Sequence, residues 1–171
     1  MPLEIERKFL IRMPNVSLLA TAEGGRVLMI TQTYLNAREG VAARVRLVRE
    51  GDSVRYIRTE KQRVSARTAI ENEWALSEEE YLAALAEVDK TRKPIEKTRY
   101  AIPYADHTLE IDIYPFWRDR AILEVELKDE DEEFLLPPYI KVIAEVTDDK
   151  RYKNVQLAKA VPQDVLPPEE E

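Results

Sequence analysis

Residues 1–11, MPLEIERKFLI, alternate charged with apolar side chains. In an extended strand successive side chains point to opposite faces, so Glu4, Glu6 and Lys8 share one face. Leu3 and Ile5 lie on the other. The stretch therefore predicts a strand with one charged face, and either water or a charged ligand must lie against that face.

The same alternation recurs along most of the chain and predicts nine short strands. They are 3–11, 29–36, 42–48, 54–61, 69–76, 95–102, 107–114, 121–127 and 142–147. Strands of this length with turn signals between them favour an antiparallel barrel or sandwich. Helical patterns are fewer, at 16–22, 77–88 and 153–160. We expect one domain over 1–160 and a flexible tail over 161–171, which is rich in proline and acidic at its end.

Composition limits the function classes. The 171 residues include 26 Lys plus Arg and 33 Asp plus Glu, a formal net charge of −7. This balance argues against broad binding to nucleic acid or to an anionic membrane surface, although a local basic pocket remains compatible with it. There is no cysteine, which excludes thiol nucleophiles and thiolate metal ligands. No long apolar stretch is present, so we expect a cytoplasmic protein.

The polar faces of the predicted strands carry charges that are segregated by strand. The pairs are Arg44 with Arg46, Thr59 with Lys61, Glu71 with Glu73, Lys97 with Arg99, Glu110 with Asp112, and Glu124 with Glu126. One explanation is a solvated sheet face. The other is a closed barrel with a charged interior, which explains why carboxylates that repel each other recur on one strand face. In such a lumen a divalent cation would join carboxylates to a bound polyanion.

An ordered series of motifs resembles a known family, the CYTH proteins or triphosphate tunnel metalloenzymes. The N-terminal pattern ExExK of that family is met by Glu4, Glu6 and Lys8. It is followed by QTYL at 32–35, RVR at 44–46, TEK at 59–61, EKTRY at 96–100, EIDIY at 110–114, EVEL at 124–127 and EVTDDKRYKN at 145–154. The series is most similar to that of the compact bacterial inorganic triphosphatases.

The resemblance implies an α+β fold, mainly antiparallel: an eight-stranded closed barrel with flanking helices and a C-terminal plug helix. The residues implied to bind phosphate are Lys8, Tyr34, Arg44, Arg46, Lys61, Lys97, Arg99 and Lys150. The implied metal ligands are Glu4, Glu6, Asp112, Glu124 and Glu126. The implied catalytic residues are Glu4, Glu6, Lys8, Glu124 and Glu126. The roles of Arg67, Glu71 and Glu73 stay open.

The implied activity is metal-dependent hydrolysis of inorganic triphosphate to pyrophosphate and phosphate, with Mg²⁺ or Mn²⁺ as cofactor. Other reactions on the same fold are ATP cyclisation by a class IV adenylyl cyclase and hydrolysis of thiamine or nucleoside triphosphates. A further alternative is a module that binds polyphosphate without chemistry. The expected partner is a small triphosphate, not nucleic acid or membrane, and a homodimer is compatible with the sequence.

Overall fold

The computed structural model describes residues 3–169, and antiparallel strands form most of its regular structure. The strands are β1 (Leu3–Arg12), β2 (Arg26–Leu35), β3 (Val41–Glu50), β4 (Ser53–Arg63), β5 (Thr68–Leu76), β6 (Ile95–Tyr104), β7 (His107–Ile113), β8 (Arg120–Glu126) and β9 (Val142–Glu145). Each coincides with a predicted strand, and the ends differ by three residues at most.

Eight of these strands close on themselves. They pair in the order β5-β4-β3-β2-β6-β7-β8-β1, and the start of β1 also pairs with β5, where Leu3 lies opposite Ile70. The later part of β1 pairs with β9, where Phe9 lies opposite Glu145. The predicted eight-stranded antiparallel barrel is therefore confirmed, with β9 as an additional strand beside β1.

The largest apolar cluster lies on the outside of the barrel wall. Phe9, Leu109 and Val125 point away from the charged lumen and are covered by Leu19 and by Phe134. This arrangement follows from the alternation in the sequence, because the residues between the charged positions must leave water on the opposite face of each strand. The lumen is thereby left free for polar side chains.

Three short α-helices flank the barrel: α1 (Val16–Ala20), α2 (Glu78–Ala84) and α3 (Asn154–Leu157). Ser77 and Glu80 form a capping box at the start of α2. Helix α3 is shorter than the predicted 153–160, and the chain turns after Leu157. Within residues 3–169, no helix has the length and apolar character needed to span a bilayer.

The segment around α3 closes one end of the lumen. A 3₁₀ helix (Lys150–Tyr152) precedes α3, and Tyr152 and Leu157 pack against the lumen-facing side chains Leu10, Ile122 and Tyr114. We call residues 150–157 the plug segment. Its place agrees with the predicted plug.

Residues 161–169, within the predicted tail, contain no helix or strand but contact the plugged end of the barrel. The indole Nε1 of Trp117 donates to the carbonyl of Pro162 at 2.8 Å, and Arg120 donates to the carbonyl of Asp164 at 2.6 Å. Leu166 packs against the apolar cluster there. The composition of the tail gives no sign of these contacts, because the donors belong to distant residues.

Candidate functional site

The lumen contains a cavity of about 750 Å³, and its walls include most of the predicted site residues. Those that line it are Glu4, Glu6, Lys8, Tyr34, Arg44, Arg46, Lys61, Arg99, Glu124, Glu126 and Lys150. Lys97 and Asp112 are buried and do not line it. Eleven of the thirteen predicted site residues thus line one cavity, ten through their shared parity along strands and Lys150 from the 3₁₀ helix Lys150–Tyr152.

Carboxylates from neighbouring strands meet at one end of the cavity. The backbone register places Glu6 opposite Glu126 and Lys8 opposite Glu124. The Nζ of Lys61 lies 2.5 Å from Glu4 Oε1, and 3.7 Å from Glu6 Oε1. We call Glu4, Glu6, Glu124 and Glu126 the carboxylate cluster.

Negative charge is only partly balanced in the carboxylate cluster. Burial, together with the nearby charge of Glu124, raises the pKa of Glu6 to about 7. Burial also raises the pKa of Glu4 and of Glu126. Burial opposes ionisation of Glu124 as well, but the charges of Lys8 and Arg99 outweigh it and hold its pKa well below the ordinary value. A further cation would stabilise the ionised forms of Glu4, Glu6 and Glu126.

The carboxylate cluster fits a hard divalent cation. Mg²⁺ and Mn²⁺ prefer oxygen ligands, and four carboxylates on adjacent strands supply them. The raised pKa of Glu6 reflects a buried charge that such an ion would stabilise. Among residues 3–169 no three acidic or histidine side chains already form a metal-binding group. The ammonium of Lys61 lies among Glu4, Glu6 and Glu71 instead.

Arginines form the next section of the cavity wall. The Nε atoms of Arg44 and Arg46 are buried and have no hydrogen-bond partner among the described residues. An Nη of Arg46 donates to Glu73 at 3.0 Å, and the hydroxyl of Thr59 donates to the same carboxylate. Burial, and then the charge of Arg44, lowers the pKa of Arg46 to about 10. Such buried guanidinium donors are suited to binding an anion.

Asp112 is enclosed by cations. It accepts hydrogen bonds from Arg99 at 2.7 and 2.9 Å, and its Oδ2 lies 2.8 Å from the Nζ of Lys97. Although burial alone would raise it, these two cations lower the pKa of Asp112 to about 2. Both carboxylate oxygens are therefore bound by protein cations. Asp112 also does not line the cavity, where the predicted metal ligand would have to lie.

Sequence reasoning missed several residues that line the cavity. Lys153, at the start of α3, lies there with Lys150, and burial followed by the charge of Arg63 lowers its pKa to about 8. Lys153 lies in the same sequence motif, EVTDDKRYKN, from which Lys150 was predicted. Glu73 and Glu110 also line the cavity. Both belong to carboxylate pairs that are visible in the sequence.

Residues with unassigned roles fall into two groups. Glu71 and Glu73 line the cavity, whereas Arg67 lies outside it, 4.0 Å from Glu145. Trp117 is 3% exposed and lies in an apolar cluster outside the cavity lining, so it is not available to stack on an organic group there. Trp74 lies on the outer face, with the guanidinium of Arg58 5.9 Å from its ring centre.

Comparison with known proteins agrees with this architecture. The chain is 31% identical over 175 residues to a protein of Nitrosomonas europaea named inorganic triphosphatase, covering 93% of this chain and 99% of that protein. A crystal structure of an inorganic triphosphatase superposes with a TM-score of 0.56 at 29% identity, covering 95% of this chain and 98% of that one. No family model matches the chain.

A protein of Pyrococcus horikoshii shares the fold at a TM-score of 0.57 and 18% identity, covering 75% of this chain and 80% of that one. The barrel is thus common to distant proteins, whereas the similarity to the Nitrosomonas europaea protein extends over nearly the whole chain. From this similarity and from the closed barrel, we conclude that the chain belongs to the CYTH, or triphosphate tunnel, family.

Proposed function

We propose that this protein hydrolyses inorganic triphosphate to pyrophosphate and phosphate inside its lumen. The observation that carries the proposal is the presence, in one cavity, of the buried unpaired Nε groups of Arg44 and Arg46 and of the carboxylate cluster. The arginine donors suit a polyanion, and the carboxylates suit a divalent cation that would bind together with it. The activity named for the Nitrosomonas europaea relative supports the same reaction.

The basic residues have two roles in this proposal. Lys8, Arg44, Arg46, Lys61 and Lys150 line the cavity and contact the phosphate oxygens directly. Lys97 is buried outside the cavity lining beside Asp112, and Arg99 is also bound to Asp112. We assign Asp112 to holding these two cations in place. Their charge then acts on the substrate over a short distance in a region of low water content.

Glu4, Glu6, Glu124 and Glu126 would hold Mg²⁺ or Mn²⁺. A divalent cation bound there would neutralise phosphate oxygens and lower the pKa of a water molecule. The carboxylates orient that water in line with the terminal phosphoryl group. The water oxygen bonds to the terminal phosphorus, the bridging P–O bond breaks, pyrophosphate leaves with the bonding electron pair, and the water loses a proton to the cluster or to solvent.

The lining of the cavity favours a substrate without an organic group. Tyr34 is the one aromatic side chain among the described residues that line it, and Trp117 is buried elsewhere. Since the lining offers little for stacking on an aromatic base, we attribute the binding energy mainly to the phosphate oxygens. We expect inorganic triphosphate to be hydrolysed with kcat/KM at least about tenfold above that for ATP, which corresponds to roughly 1.4 kcal/mol.

A substrate panel tests this proposal. Inorganic triphosphate, ATP and thiamine triphosphate are each incubated with Mg²⁺, with Mn²⁺ and with chelator, and phosphate, pyrophosphate and cyclic AMP are resolved. Glu6→Gln is expected to abolish turnover, while Glu96→Gln, an exposed position on β6, retains it. Cyclic AMP from ATP would replace the proposal with a cyclase. Binding of triphosphate without cleavage under any metal would replace it with a binding module.

A further inference from the structure

On the side of Arg44 and Arg46 away from the plug segment, the lumen wall becomes apolar. Leu28, Ile30, Val48 and Ile57 line the same cavity and pack together in one cluster. The register places Ile30 opposite Val48 and Arg46 opposite Ile57, so this group directly follows the arginine section toward the barrel mouth away from the plug segment. We call the four side chains the apolar wall.

The charged residues near the apolar wall are already paired. Leu28 lies opposite Arg99 in the register of β2 and β6. Arg99 donates to Asp112 twice and to Glu110 at 2.8 Å, so its guanidinium is occupied by carboxylates. Glu110 also lines the cavity and adds negative charge there. This section therefore offers a phosphate oxygen no unpaired cation from the described residues.

The cations at the mouth beyond the apolar wall share one carboxylate. Arg26 forms two hydrogen bonds with Glu50, at 2.7 and 2.6 Å, and Arg55 donates to the same carboxylate at 3.3 Å. Both arginines line the cavity. Both arginines contact Glu50, and the apolar wall separates them from Arg46.

We infer that the apolar wall limits the length of the phosphate chain that the lumen accepts, an inference that rests on the proposed function. On one strand Val48 lies two residues beyond Arg46, about 7 Å along the wall. The plug segment closes the lumen on the other side of the arginines, so a phosphate chain longer than the one that Lys150, Arg44 and Arg46 hold would extend into the apolar section. There it would lose hydration without gaining a donor, which is unfavourable for a charged group.

The unmodified protein provides the first test. Hydrolysis of linear inorganic tri- and tetraphosphate is measured at equal free Mg²⁺. We expect kcat/KM for tetraphosphate to be at least tenfold below that for triphosphate. Equal efficiency would overturn the length limit while leaving triphosphate hydrolysis intact. If neither compound is cleaved, the proposed function fails, and the length limit is then decided by the ratio of their equilibrium binding constants.

A charge placed in the apolar wall provides the second test. Ile57 is half-buried, so Ile57→Lys adds a cation to the wall at a position that can hold it. We expect this variant to raise the ratio of tetraphosphate to triphosphate efficiency at least fivefold. The matched control is Val54→Lys, which adds the same charge to an exposed position of β4 outside the cavity lining.

The control is expected to leave the ratio within twofold of the unmodified value. If Ile57→Lys does not fold, as judged by circular dichroism, Ile57→Gln introduces a neutral donor of similar length at the same site and is expected to raise the ratio at least twofold. A folded variant at position 57 whose ratio matches that of the unmodified protein would overturn the inference.

Discussion

Arg44 shows how a single side chain in this lumen is prepared for a ligand. Its Nε is buried without a hydrogen-bond partner, and no carboxylate of the described residues lies within ion-pair distance of its guanidinium. A buried donor without a partner is unfavourable in the free protein and favourable once an anion arrives. Arg44 therefore contributes to binding and little to folding.

We expect Arg44→Ala to weaken triphosphate binding by about 10- to 100-fold, since a hydrogen bond to a charged group contributes roughly 1.5–3 kcal/mol. Thermal stability should change little. Calorimetric titration with triphosphate measures the first effect, and thermal unfolding measures the second. Arg49→Ala is the matched control, because Arg49 lies on the exposed face of the same strand. Unchanged affinity in Arg44→Ala would contradict its role as a phosphate ligand.

At the scale of an element, the plug segment is held by few polar contacts. The hydroxyl of Tyr114 donates to Asn154 Oδ1 at 2.6 Å, and both residues are buried. Helix α3 has only four residues and no side-chain N-cap, so its position depends on the barrel and not on its own hydrogen bonds. This contact also positions the neighbouring Lys150 and Lys153 along the cavity.

We expect Tyr114→Phe to lower the free energy of unfolding by about 1–2 kcal/mol, because the buried amide oxygen of Asn154 loses its donor. KM for triphosphate should rise severalfold while kcat changes less, since the plug segment carries binding residues. Chemical denaturation and steady-state kinetics measure the two effects. Tyr100→Phe is the control, because Tyr100 is buried in the outer apolar cluster. Equal changes in the free energy of unfolding and in KM in the two variants would contradict a stabilising role for the hydrogen bond from Tyr114 to Asn154.

At the scale of the whole molecule, the lumen makes stability depend on pH. Burial raises the pKa of Glu6 and of Glu110 to about 7, from an ordinary value of 4.5. The folded state thus holds these protons more tightly than the unfolded state. Their contribution to stability is full below about pH 4.5 and is lost as the pH rises through 7. Asp112, whose pKa is lowered, also contributes to stability, but that contribution is lost only as the pH falls below this range.

We therefore expect the free energy of unfolding of the metal-free protein to fall by on the order of 1–3 kcal/mol between pH 4.5 and 7. Urea denaturation in chelator at several pH values measures it. Glu110→Gln should reduce this slope, whereas Glu96→Gln, an exposed position on β6, should leave it unchanged. Stability that rises steadily over the same range would contradict the buried acidic lumen.

The sequence by itself determined the strands and the charged face of each strand, whereas the closed barrel was implied by the family resemblance. Alternation with period two fixes which side chains share a face, and segregation of charge by strand favours a charged interior over a solvated sheet face. Glu4, Glu6, Glu124 and Glu126 were identified in this way, and the structure places all four along one cavity. Local pattern was sufficient because each of these assignments depends only on neighbours in the chain.

Only the tertiary structure decided what each charge contacts. Asp112 has the same parity as the cavity residues, yet Lys97 and Arg99 enclose it, because barrel closure sets the height of each residue around the lumen. The contacts of residues 161–169 and the exposure of Lys153 to the cavity depend on partners far away in the chain. The apolar wall is likewise built from three strands, and no single strand contains it. Such features require the distances between strands, which alternation along one strand does not encode.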